Sequence, residues 1–300
     1  MLSRRVHPTM GSMLYLRCST QAGSKNMPDV SAALNWNFAP SVLMMLLSQA
    51  ALYGYLIHVA RADGHWGTEV RASHVIYFAL GLILIFAALV TPLDSLSNAA
   101  LFSAHMVQHI LLMLLAPACL LLGTPGYWIR YLYDLPALKR LLPIVTHPLV
   151  TLIAFNAVMW IWHVPSLYEG ALRNPNVHIM EHMLFLSAGV LLWLPVIHDV
   201  PPEHILSYPA RMAYLFACMV SSSILGAIFT FAPSIAFPFY GNAPLAFGLS
   251  PMTDQQLAGL IMWVPGSGIF FVAILVVFAA WLNAEDRKAK TEYPPPPYVQ

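Results

Sequence analysis

Two stretches decide the fold: AALFSAHMVQHILLMLLAPACLLLG at residues 99–123 and NPNVHIMEHMLFLSAGVLLWLPV at residues 174–196. Each is apolar over about the 20 residues that a bilayer core requires of a helix. Each also carries two histidines four residues apart near its start: His105 and His109 in the first, His178 and His182 in the second. That spacing puts both imidazoles of a pair on one helix face, about 6 Å apart along the axis. Ionisable side chains at membrane depth are costly and mark functional sites. Four imidazoles converging there point to a transition metal or a haem.

Outward from these stretches the chain reads as a membrane protein throughout. Of its 300 residues 59% are hydrophobic and only 9% charged, against roughly 25% charged in soluble domains, and the mean hydropathy is +0.67. A formal net charge of +1 implies no nucleic-acid partner. Cys18, Cys119 and Cys218 form no CxxC pair, so no disulfide framework or thiol redox motif is expected. Seven apolar segments are predicted to span, at roughly 40–60, 72–91, 99–123, 148–164, 176–198, 210–232 and 255–282. Pro40, Pro148, Pro175 and Pro209 suit first-turn positions, where a missing N–H costs nothing. Asn174 is a cap for the fifth helix, Thr253-Asp-Gln-Gln256 a capping box for the seventh, and Gly123 with Pro125 closes the third. Pro117 and Pro265 lie inside helices and are expected to kink them. The expected fold is all-α: a polytopic membrane helix bundle of about seven transmembrane helices over residues 38–283. A tail at 1–37 precedes it, with Met27 as the expected true start, and a disordered cytoplasmic tail at 284–300 follows.

Short-loop Lys and Arg residues set the orientation. With the N-terminus outside, Arg61, Arg71, Arg130, Lys139, Arg140, Arg211, Arg287, Lys288 and Lys290 are cytoplasmic, and only Arg173 faces out. Helices three and five then both enter from outside, so His105, His109, His178 and His182 lie in the outer half. His163, ending helix four in MWIWHVP, joins them. Gln108 and Glu181 hold equivalent places just before each second histidine, where each could orient a ligand imidazole; Glu181 could itself be a ligand.

Imidazole suits Zn, Cu, Fe and Ni, whereas thioethers favour Cu(I). Met106, Met113, Met159, Met180, Met183, Met252 and Met262 fall in the same helices. Met252, at the outer start of the last helix, is the best placed to handle a metal. Asp94 and Asp254, also at the outer face, could draw a cation toward the histidines. For Asp254 the competing reading is a first-turn acid favoured by the helix dipole, and for Asp94 a loop anchor.

The strings FSAHMVQHILLMLLAPACLLLGTP, WHVPSLYEGALRNPNVHIMEHMLFLSAGVLLWLPV and DQQLAGLIMWVPGS resemble the CtaG family of polytopic cytochrome c oxidase assembly factors, the type first associated with Bacillus oxidases. The resemblance covers roughly 38–283. It implies a multi-pass protein of the bacterial plasma membrane that serves oxidase maturation, with copper handling as the expected chemistry. Its expected partners are oxidase subunits or a periplasmic copper donor, within the lipid bilayer. The ligands it implies are His105, His109, His178 and His182, with His163. No CxxxC motif or methionine-rich tail accompanies them, so any copper must be held by imidazole with a thioether or carboxylate. Two other readings stay open. His178-x-x-Glu181-His182 matches the HxxEH pattern of inverted zinc proteases, which would leave His105 and His109 unused. A bis-histidine haem is the other; one face offers room for a single porphyrin only.

Overall fold

Prolines stand in the first turn of most of the long helices. In the computed structural model, which describes residues 30–199 and 204–292, helices α1 (Pro40–Ala62), α2 (Ala72–Leu89), α3 (Pro92–Ala99), α4 (Phe102–Leu122), α5 (Gly126–Asp134), α6 (Pro148–Trp162), α7 (Pro165–Arg173), α8 (Pro175–Ile197), α9 (Tyr208–Thr230) and α10 (Pro251–Glu292) follow one another. No strand occurs among the described residues. Six helices are long and apolar enough to cross a membrane, namely α1, α2, α4, α8, α9 and α10, and the bent pair α6–α7 makes a seventh if counted as one span. The bundle is therefore the polytopic all-α architecture that the sequence predicts. Asn174 caps α8 as expected, its side chain accepting from the Asn176 N–H at 3.0 Å.

More than half of the apolar stretch of both α4 and α8 is buried, whereas α1 and α2 are mostly exposed. The exposed side chains are themselves apolar, among them Met44, Leu47, Ile76, Ile83 and Val276, as a lipid-facing surface requires. Helices α9 and α10 approach closely: a Cβ added at Gly259 would lie 2.6 Å from the Gly226 carbonyl oxygen.

Four details correct the sequence reading. First, α4 is not simply kinked at Pro117. It widens into a π-helical turn over Leu111–Leu115, where the Ala116 N–H donates to the Leu111 carbonyl. Pro117 cannot donate to Met113, and the wider turn leaves carbonyls facing α8. The Trp193 indole N–H takes that of Leu114 at 2.8 Å, and Gly189 packs on that of Met113. A Cβ at Gly189 would sit 2.2 Å from the Met113 oxygen and 2.6 Å from the Pro117 ring. Gly189→Ala should therefore force the two central helices apart, at about 3 kcal/mol. A thermal melt of the detergent-solubilised chain checks this, and an unchanged midpoint would refute the close contact.

Second, α6 ends early. Its 15 residues reach about 22 Å, and the chain bends by 74° into α7, so His163 sits at a break. Third, α10 is capped by Ser250, whose hydroxyl accepts from the Thr253 N–H at 3.0 Å, not by a box at Thr253. This helix runs through Pro265 as one element and on to Glu292. The disordered tail expected from 284 is thus helical up to that residue, with Lys288–Glu285 and Lys290–Asp286 pairs. Fourth, the end of the expected 1–37 tail is docked. The Asn37 side chain donates to Asp94 at 2.8 Å, and the Ser95 hydroxyl donates to the Asn35 carbonyl. Cys18, Met27 and the PPPPYVQ end lie outside the described residues; Cys119 and Cys218 are free thiols.

Candidate metal centre

Helix periodicity sets the site. On α4, His105 and His109 share one face with their ring centroids 4.2 Å apart. On α8, His178 and His182 do the same at 4.1 Å. The two faces meet: His105 lies 5.6 Å from His178 and 6.3 Å from His182, and His109 lies 6.2 Å from His182. His163, at the α6–α7 break, comes within 5.5 Å of His109. All five histidines of the sequence reading therefore gather at one end of the bundle.

Glu181 sits among them with no exposed surface. Its carboxylate oxygens approach His109 Nε2 at 3.8 Å and His178 Nε2 at 3.9 Å, beyond hydrogen-bond reach. Both oxygens are buried and lack any hydrogen bond, and so do His105 Nε2, both ring nitrogens of His109, His163 Nε2, His178 Nε2 and His182 Nε2. Such a concentration of orphaned buried polar atoms is foreign to a structural cluster, because each costs free energy unless something compensates it. A cation would. Two sets bring their ligand atoms within 4.8 Å of one another: His105, His109 and His182, and His105, His178 and Glu181. The donor set of imidazole nitrogen and carboxylate oxygen fits a transition-metal ion.

The surroundings fix the ligands. His105 Nδ1 faces the Ser97 carbonyl at 3.3 Å, which places its proton there and leaves Nε2 free to ligate. The Tyr240 hydroxyl donates to the same carbonyl at 2.8 Å and lies 2.7 Å from the Tyr168 hydroxyl. Burial pushes the Tyr240 hydroxyl well above its ordinary pKa, so it stays a donor. His163 Nδ1 turns back to the Met159 carbonyl at 2.6 Å, which also frees its Nε2.

The auxiliary residues take other parts than the sequence suggests. Gln108 touches no imidazole nitrogen; it donates to the Ala88 carbonyl and to Asp94, and accepts from the Ser97 hydroxyl at 2.8 Å. It thus holds the residue whose carbonyl orients His105. Asp94 lies in the first turn of α3, a helix where a loop was expected, and is buried, taking donors from Asn37 and Gln108. Asp254 belongs to the first turn of α10, yet its carboxylate caps a different helix. It accepts from the N–H groups of Phe102 and Ser103 and from the Ser103 hydroxyl, at the start of α4. Neither acid is left to draw in a cation. Met252 lines neither cavity at the histidines. Sequence reading missed Ser97, Tyr168 and Tyr240, because nothing in local spacing links three positions so far apart.

A largely apolar cavity of about 640 Å³ opens beside the cluster between α1, α2 and α8, and His178, His182 and Asp94 line it.

A multi-pass helical protein with this centre falls into a recognised class. Residues 51–284 match the family described as cytochrome c oxidase caa3 assembly factor (Caa3_CtaG), and the chain belongs to it. Every residue of the cluster lies inside the match. Among curated proteins the chain is similar to the uncharacterized protein Mb0105 of Mycobacterium bovis and to MT0111 of Mycobacterium tuberculosis, each 26% identical over 215 residues, 65% of this chain and 32% of the relative. The uncharacterized protein ML1998 of Mycobacterium leprae is 25% identical over the same span. The chain thus spans about a third of the length of the curated relatives it matches. No solved structure matches it.

Proposed function

We propose that the chain serves the maturation of a cytochrome c oxidase in the bacterial plasma membrane by holding copper at the outer end of the bundle. The observation that carries this reading is the fully buried Glu181 among imidazoles whose nitrogens lack partners. The ligands come from His105, His109, His178, His182 and Glu181, in the sets His105/His109/His182 and His105/His178/Glu181. Copper bound there is available to an oxidase subunit or to a periplasmic donor at the same membrane face. The chain's own residues position the ligands: Ser97 and Tyr240 hold His105, and Asp254 holds the helix that carries it.

Two observations favour a held ion over the alternatives. In an inverted zinc protease Glu181 would activate a water beside the metal; here it has no exposed surface and stands in a potential ligand set with His105 and His178. A haem needs a slot between two facing imidazoles, and between these two helices Glu181 stands in that space, 3.8 Å from His109 and 3.9 Å from His178.

Elemental mass spectrometry of the detergent-purified chain, beside its visible spectrum, tests the reading. Wild type should carry copper and no Soret band, and His105→Ala/His109→Ala should lose the copper while remaining in the membrane. Host oxidase isolated alongside the variant should be short of copper. Zinc or haem iron in the wild type, or full copper in the variant, would overturn the proposal.

A further inference from the structure

Against His109 and His163 lies a second void of about 40 Å³. It is room for one ion or a few waters. Four methionines line it: Met106 and Met113 from α4, Met159 from α6 and Met262 from α10. All four are buried. His109 and His163 complete the wall; both are 5% exposed, and His109 Nδ1 and Nε2 and His163 Nε2 have no hydrogen-bond partner.

Methionine is a common filler of irregular cores, and one or two around a void would mean nothing. Here the fillers leave the void open, and they come from three helices onto two imidazoles whose Nε2 atoms have no partner. Met113 lies in the π-helical turn of α4, a distortion that recurs at functional sites. The Ser222 hydroxyl donates to the Met159 sulfur at 3.2 Å. No carboxylate lines this pocket, in contrast to the cluster around Glu181.

From these residues we infer that the pocket is a second metal site, distinct from the His/Glu cluster and selective for a soft monovalent cation, Cu(I). Thioether and neutral imidazole donors without an anion suit a soft ion of low charge and disfavour Zn(II). His109 belongs to both places, lining this pocket and standing 3.8 Å from Glu181. The inference rests on the copper reading for the identity of the cargo but on different side chains for its place.

The test uses the full chain in detergent, loaded anaerobically with chelator-buffered Cu(I) and read by X-ray absorption. Two variants are compared with wild type: Met106→Leu/Met113→Leu/Met159→Leu/Met262→Leu, which nearly conserves volume and is the mildest kind of core exchange, and His178→Ala/Glu181→Gln. Wild type should show sulfur scattering around copper. The leucine variant should lose the sulfur shell and bind Cu(I) at least about tenfold more weakly; the His178/Glu181 variant should keep it. A wild type with only nitrogen and oxygen neighbours, or a sulfur shell that survives in the leucine variant, would overturn the inference. Failure of the His/Glu reading shows separately, as undiminished total copper in His178→Ala/Glu181→Gln.

Discussion

Replacing Glu181 by glutamine should lower the copper affinity of the chain by at least about a hundredfold and raise the melting temperature of the metal-free protein. The two effects run in opposite directions because one group causes both. Glu181 is a carboxylate without exposed surface and without a hydrogen bond. Burying a carboxyl group without a partner opposes folding, whether it stays charged or takes up a proton to avoid the charge. An amide of the same shape removes the charge and leaves the packing, so about 1–2 kcal/mol should be regained, or roughly 3–6 °C in a chain of this size. Copper present in excess should reverse the order, because only wild type is stabilised by ligand binding. Isothermal titration and melts with and without copper read both quantities. A metal-free variant that melts below wild type would mean that Glu181 is held by the fold and not by an ion.

Replacing Asp254 by alanine is the other large effect. Of the three donors this carboxylate receives, the Phe102 and Ser103 N–H groups are free N-terminal groups of α4, and the third is the Ser103 hydroxyl. Leu101, at the cap position, provides no side-chain acceptor. Asp254 therefore caps from α10 a helix 152 residues away in sequence. Without it buried donors are orphaned at about 1–3 kcal/mol each, and the turn carrying His105 loses its anchor. We expect a loss of about 3–5 kcal/mol, a melting point lower by roughly 10 °C, and loss of bound copper with every histidine still present. Asp254→Asn, which keeps one acceptor, should fall between. Copper retention by the alanine variant at wild-type level would show that the histidines are positioned without this cap.

The elements most legible in the sequence are those fixed by local rules. Apolar length and first-turn prolines place the spans to within a few residues, and the four-residue spacing of His105/His109 and His178/His182 predicts the faces that meet. The roles of Asp254, Gln108 and Asp94 were not legible, because each bonds a group on another element. A first-turn acid satisfies the dipole rule for its own helix whether or not it caps a second one. The bend after Trp162 and the wide turn before Pro117 leave no mark on the apolar periodicity. The helix beyond 284 was misjudged for a different reason: polarity ends a membrane span, but it does not end a helix whose Glu285–Lys288 and Asp286–Lys290 pairs sit at helical spacing.

Glu181 is the one acid among the five histidines, since Asp94 and Asp254 are engaged elsewhere. With the imidazoles neutral, as ligands must be, a monovalent ion makes the whole assembly electroneutral. A divalent ion leaves one net positive charge stranded in a medium of low dielectric, where charge is expensive. On the proposed reading the centre therefore discriminates by charge number, whereas the methionine pocket would do so by donor softness. Copper held there as proposed should have its reduction potential displaced upward relative to the ion in water, which would favour the cuprous form.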